Sequence, residues 1–331
     1  MHHPLARFFL LPVVISCIAF AGVFYLGGGT GALLTAILLS VLEVTLSFDN
    51  AVVNARVLVH MSEEWRKRFL TWGILIAVFG TRLVLPVLIV AASAWLSPLA
   101  VTLLAFGDAE AYGDLLHHSR MSINAFGGTF LLMVALKYFF DDAKEVHWIR
   151  RIEQRLARLG RIEAVEIGIA LAVLLGLSFF AHEEAQGAIL FAGVAGVALF
   201  ILVEGIAHSF SLEVAEVGKR SVVLFLYLNV LDAAFSLDSV VGAFALTTDL
   251  LIIAVGLGIG AYFVRALTVY LVERNTLQTL VYLEHGAHWA ILGLAASLYA
   301  GLYLEVPEAI TGTIGLAFVI AAYYSSIRLK G

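Results

Sequence analysis

The chain has 331 residues, 61% of them hydrophobic and 14% charged, with a formal net charge of −5 and a mean hydropathy of +0.97. Soluble domains carry about a quarter charged residues, and here apolar runs of about 20 residues recur, so composition excludes an ordinary soluble domain and points to an all-α polytopic membrane protein. A lone cysteine, Cys17, excludes an internal disulfide and a thiolate metal cluster, and the sequence holds no phosphate-binding loop, zinc-protease motif or nucleic-acid module, which argues against an enzyme and against nucleic acid as a partner.

Residues 1–7 are a short head, and 8–26 a first apolar span, read as an uncleaved helix because no small-residue cleavage site is evident. Residues 27–31 read as a turn. A second span covers 32–59, a basic loop follows, and a third span covers 70–96 with Arg82 near its middle and Pro86 as a kink. The connection 97–121 starts apolar and ends with Asp108, Glu110, Asp114, His117 and His118. The fourth span is 122–140, with Lys137 near its end, where it can snorkel or pair with an acid. Residues 141–163 are the most hydrophilic stretch. Ile149, Ile152, Leu156 and Leu159 share one helical face among five arginines, which predicts a basic amphipathic helix on the membrane surface. Further spans follow at 164–181, 187–207, 222–246, 250–272, 285–304 and 308–327, giving about ten transmembrane helices. Arg265 lies in the eighth, and Glu284, His285 and His288 cluster at the start of the ninth. That cluster reads as a zinc site, a proton relay or an interfacial polar group.

Sorting the basic residues by alternate sides puts Arg7, Arg56, Arg66, Lys67, Arg68, Lys144, the linker arginines, Lys219, Arg220, Arg274, Arg328 and Lys330 together, and Arg120 alone opposite. The positive-inside rule then places both termini in the cytoplasm. The predicted organisation is an extra N-terminal helix (1–30), a first repeat (31–140), a cytoplasmic basic linker (141–163) and a second half (164–331).

The second span carries Glu43-Val44-Thr45-Leu46-Ser47-Phe48-Asp49-Asn50, and the seventh carries Asp232-Ala233-Ala234-Phe235-Ser236-Leu237-Asp238-Ser239. The two copies run oppositely through the membrane, so spans two to four and seven to nine read as inverted repeats, an architecture that places a site near the midplane. Glu43, Ser47, Asn50 and Asn54 share one helical face, as do Asn229, Asp232, Ser236 and Ser239. Asp49 and Asp238 fall off these stripes, so irregular helix geometry is expected near both. Four carboxylates in apolar helices mark an ion or proton pathway. Carboxylate, amide and hydroxyl oxygens suit hard divalent cations. Arg82 and Arg265 read as partners of the acids or as groups that gate the ion.

The first motif resembles the signature of the TerC family of integral membrane proteins. The second motif and Tyr282-Leu283-Glu284-His285-Gly286-Ala287-His288 are similar to a TerC-related membrane branch. The resemblance implies a role in exporting divalent cations, notably Mn²⁺, with Glu43, Asp49, Asn50, Asp232 and Asp238 as cation-site residues. Asp232 and Ser239 depart from the first motif's Glu43 and Asn50, which makes the halves inequivalent.

The expectation is a multi-pass protein of the bacterial inner membrane that exports Mn²⁺, with Ca²⁺ or Mg²⁺ also admissible, by alternating access. Ser47, Ser236 and Ser239 add neutral oxygens to the acids. No tightly bound cofactor is expected. The partners are the bilayer and the transported ion, with room for a homo-oligomer. The alternative is a non-transporting membrane scaffold in a metal-stress or secretion-associated complex.

Overall fold

Where water is excluded, a backbone N–H or C=O must find its partner within its own segment, and long apolar runs therefore fold as helices. The structure is a computed structural model that describes residues 6–26, 29–212, 217–247, 249–274, 276–304, 306 and 308–329. Among these there is no strand. The turn at 27–31 and the C-terminal tail lie partly outside the described residues.

The elements are α1 (Ala6–Leu26), α2 (Thr30–Leu46), α3 (Phe48–Leu58) and α4 (Glu63–Leu75), which leads through a π-helical stretch (Ile76–Val84) into α5 (Leu85–Ala94). Then come α6 (Pro98–Gly107), α7 (Ala109–His118), α8 (Arg120–Phe139), α9 (Arg150–Leu159), α10 (Val165–Phe180) and α11 (Glu183–Leu212). The last are α12 (Val217–Leu246), α13 (Leu250–Glu273), α14 (Thr276–Thr279), α15 (Leu283–Ala300) and α16 (Glu308–Arg328). Among the described residues four helices are long and apolar enough to cross a membrane: α1, α8, α11 and α13. The pair α2 and α3, bent by 54°, makes a fifth if it counts as one span. The remaining runs read as spans are helical as well. Large apolar side chains cover the outside, among them Phe106 (74% exposed), Phe179 (78%) and Phe191 (77%). This is consistent with a helical membrane protein.

Two local features depart from the sequence reading, and a third adds to it. The connection 97–121 is mostly helical, because Ser97 caps α6 by accepting from Ala100 N–H (3.1 Å) and Asp108 caps α7 by accepting from Ala111 N–H (3.0 Å). The kink expected at Pro86 is instead a π-helical stretch ahead of it, which carries Arg82. The linker helix α9 buries Glu153 and Ala157, while Ile152 and Leu159 stay 47% and 41% exposed. Glu153 thus docks the helix, Leu156 packs partly buried against the core, and the rest of the apolar face stays open.

Packing centres on α13 against α2. A Cβ on Gly256 would stand 2.6 Å from Leu39 Cβ, and one on Gly260 2.5 Å from Glu43 Cβ. These small residues four apart let the two backbones approach closely, and Ser40 Oγ donates to Gly256 C=O at 2.8 Å. Two apolar clusters fill the interior. One holds Ala36 and Leu39 of α2, Val240 of α12 and Leu257 of α13; the other holds Ala51 of α3, Phe235 of α12 and Val264 of α13. The boundary between them falls on both acidic motifs.

Gly260→Ala should lower thermal stability in detergent by about 1–3 kcal/mol through overpacking against Glu43. Gly168→Ala, which has nothing within 4 Å of the new methyl, serves as the control and should change little. Equal behaviour of the two variants would show that the α2–α13 contact is looser than described.

Candidate cation site

The first motif is broken where an off-stripe acid requires it. Ser47 has φ −100 and ψ 14, ending α2 and starting α3. Ser47 N–H donates to Glu43 C=O (2.9 Å) and Ala51 N–H to Ser47 C=O (3.1 Å), so the chain stays bonded across the bend. Asp49 sits in the first turn of α3, where exposed N–H groups favour an anion, and its Oδ1 accepts from Asn50 N–H at 2.9 Å. The bend thus brings Asp49 into the buried layer with Glu43 and Asn50.

The second motif corrects the expectation of irregularity: α12 runs unbroken through Asp238. Ser236 Oγ donates to Asp232 C=O (2.7 Å) and Ser239 Oγ to Ser236 C=O (3.0 Å). These hydroxyls back-bond along their own helix, whereas Ser47 Oγ donates instead to the Glu43 carboxylate (3.0 Å). The side chain of Asp238 lies outside the described residues.

Each buried acid of the first pair has its own guanidinium. Arg82 is ion-paired with Glu43, both about fully buried, and its Nη1 donates to Ala77 C=O (2.8 Å) across the wide π-helical turn. Arg265 Nη2 donates to Asp232 Oδ2 at 3.0 Å. Arg265 lies over the Phe69 ring, 4.3 Å from its centroid, and occupies the space left by Gly73, whose missing Cβ would stand 2.6 Å from Nη1. The two motifs meet directly: Asn50 Nδ2 donates to Asp232 Oδ1 at 2.9 Å. Asp49 has no basic partner among the described residues. Glu43 Oε2, Asn50 Oδ1, Asn54 Oδ1 and Asn229 Oδ1 are buried without a hydrogen-bond partner. The site thus offers hard oxygen acceptors beside two fixed cations. Among the described residues no three of His, Cys, Asp and Glu lie close enough to hold a metal ion by themselves, so any cation here would draw on amide oxygens as well.

Residues 48–330 match the family described as a protein of unknown function, DUF475. The chain belongs to that family. No curated protein and no solved structure matches it. Nothing in these comparisons bears on the TerC resemblance.

The accessory residues gather elsewhere in this DUF475 chain, where α3 and α8 end and α15 begins. Glu284 pairs with Arg56, and His288 stacks on Tyr138 with ring centroids 3.6 Å apart. Lys137 is exposed and lines a cavity of about 530 Å³ with Arg56, His60, Tyr227, Glu204 and His288. His285 Nδ1 donates to Glu153 Oε2 (2.8 Å), and Trp289 Nε1 to Glu153 Oε1 (2.9 Å). Trp148 and Ile149 N–H groups fill the carboxylate's other acceptor positions at 3.0 and 3.2 Å. Glu153, hidden in an Arg-rich helix, gave no signal in the sequence beyond being a lone acid on that helix's inner side. Its partner on α15 is 132 residues away.

Removing Arg265 leaves Asp232 buried and uncompensated. Arg265→Gln should therefore cost about 3–5 kcal/mol of thermal stability, and Arg265→Gln combined with Asp232→Asn should recover most of it. Failure of the double variant to recover stability would show that the pair is not the source of the loss.

Burial opposes ionisation of Glu153, but hydrogen bonds from His285 and Trp289 and the Ile149 N–H outweigh it and pull the carboxyl down to about 2 from its ordinary 4.5. A depressed carboxyl stabilises fully above its unfolded value and loses that contribution as pH falls through the folded one. Amide-exchange protection of residues 147–159 should hold down to pH 4.5 and fall between there and about pH 2. A profile that stays flat over that range would mean that Glu153 does not hold α9.

Proposed function

We propose that the chain is a multi-pass membrane transporter that exports a hard divalent cation, Mn²⁺ foremost, by alternating access around the layer between α2–α3 and α12. The observation that carries the reading is the broken helix at Ser47. It sets Asp49, a buried carboxylate without a basic partner among the described residues, next to Asn50, which bridges to Asp232 of the other motif. Broken helices with acidic or carbonyl oxygens at the break are a recurring device for ion sites in transporters. The buried, unpartnered oxygens of Glu43, Asn50, Asn54 and Asn229 are the donor type a hard cation takes.

The finer topology belongs to the same proposal: about ten spans, inverted repeats at spans two to four and seven to nine, cytoplasmic termini and an inner-membrane location. Two parallels support the repeats. The acid of each motif pairs with an arginine of the next long helical unit, Glu43 with Arg82 and Asp232 with Arg265. Each ion pair also rests against a glycine of a facing helix, Gly260 beneath Glu43 and Gly73 beneath Arg265.

In this reading the guanidinium groups act as tethered cations. They pair with Glu43 and Asp232 when no substrate is bound, and the arriving ion competes with them for carboxylate oxygens. Asp49 supplies the negative charge that the arginines leave free, and can carry a proton on the return step. The bend at Ser47 is the point about which α2 and α3 would change their angle. The cavity lined by Arg56 and His60 lies about 10 Å along α3 from Asp49, at 1.5 Å per residue, and gives the ion a wide approach from that end. The TerC resemblance supplies the direction and the favoured ion.

Vesicles loaded with Mn²⁺ and containing the purified chain should release it faster than empty vesicles. Asp49→Asn should slow that release by about tenfold or more, the loss of one ligating charge, while Asp114→Asn on α7 leaves it unchanged. Intact release by both Asp49→Asn and Asp238→Asn would place the site elsewhere. No release by the folded wild-type chain would favour the scaffold.

A further inference from the structure

We propose that the linker carries an anion site for a phosphoryl group, formed between residues 142–147 and one side of α9. A polar pocket of about 240 Å³ lies there, lined by Asp142, Lys144, His147, Gln154, Arg158 and Arg161. Three fixed cations face one carboxylate in that lining. The carboxylate is only loosely engaged: Arg161 Nε stands 3.7 Å from Asp142 Oδ2, and both side chains are more than half exposed. Like charges held together in a concave site need an anion to offset them, and arginine with lysine is the donor set that suits a tetrahedral oxyanion.

Lys144 and the backbone of α9 are held from behind. Lys144 Nζ donates to Tyr138 C=O at 3.1 Å and lies over the Tyr138 ring, 3.6 Å from its centroid. Glu153, one residue from Gln154, is bound on four sides by Trp148, Ile149, His285 and Trp289, so α9 cannot slide away from the pocket without breaking that anchor. The Glu153 carboxylate is thereby already fully bonded. His147 Nδ1 is buried without a hydrogen-bond partner, 3.8 Å from Glu153 Oε2. Gly160 packs against the Phe140 carbonyl, which closes the linker into a loop around the pocket. Lys144 and His147 feel each other's charge. Burial and the neighbouring Lys144 charge hold His147 below its ordinary value, and burial lowers Lys144 to about 8. A dianion would relieve both.

A phosphoryl group could come from the solvent or from a lipid headgroup, since Ile152, Leu159 and Ile162 are exposed beside the pocket. The test is amide exchange over residues 141–161 of the full purified chain. In detergent, inorganic phosphate titrated against chloride at constant ionic strength should protect this segment saturably. Arg158→Gln and Lys144→Gln should each weaken the midpoint by about tenfold, the loss of one charge-assisted hydrogen bond. Arg151→Gln, on the same helix but outside the lining, should leave it unchanged. Unchanged protection of 148–153 without phosphate checks that each variant keeps α9 docked. In phosphatidylcholine vesicles, competition between phosphatidic acid and free phosphate assigns the site to a headgroup, and its absence assigns it to the soluble anion. Equal protection by chloride, or equal weakening by Arg151→Gln, would overturn the site.

Discussion

A charge inside an apolar helix bundle survives only with a partner, because desolvation costs more than most single contacts return. That constraint organises this protein. Its acidic motifs lie on the boundary between two apolar clusters, and the layer between them is built from guanidinium–carboxylate pairs and amides. The surrounding backbone is shaped to admit those pairs. Gly260 makes room for Glu43, Gly73 makes room for Arg265, and a π-helical turn lets Arg82 bond Ala77 C=O while it reaches Glu43.

The layer is not symmetric in its chemistry. On the α2–α3 side the helix is cut, and the acid that the cut exposes, Asp49, is left to the first N–H groups of α3. On the α12 side the serines bond back to their own helix and the helix stays whole. A side-chain hydroxyl can satisfy either a carbonyl behind it or a carboxylate beside it. Ser47 takes the carboxylate, and Ser236 takes the carbonyl. Among the described residues the chain bends at the first motif and runs unbroken through the second.

α3 joins this layer to the far end of the bundle. Its first turn carries Asp49 and Asn50, and its last turns carry Arg56, held by Glu284, and the wall of the larger cavity. The linker is pinned to the same end by Glu153. A change in the angle between α2 and α3 would therefore move residues that line the cavity, and through α15 it would reach the contacts that seat the linker. Three polar systems, the buried layer, the cavity and the linker pocket, are thus mechanically adjacent along two helices.

The sequence alone determined the helical class, the positions of the apolar runs, the polar stripes and the need for a break near Asp49. All of these follow from local periodicity: a step of 100° per residue decides which side chains share a face, and no distant contact enters. It also marked Arg82 and Arg265 as partners for the acids or as groups that gate the ion, because a cation in an apolar run needs a counter-charge. Tertiary structure decided the rest. Which acid each arginine holds, the Asn50–Asp232 bridge and the seat of Glu153 between His285 and Trp289 depend on residues 33 to 182 positions apart. The linker shows the limit most plainly. Its apolar periodicity marked a face for the membrane surface, and Ile152 and Leu159 do stay open; the four hydrogen-bond donors that converge on Glu153 to seat the helix exist only once the helices have packed.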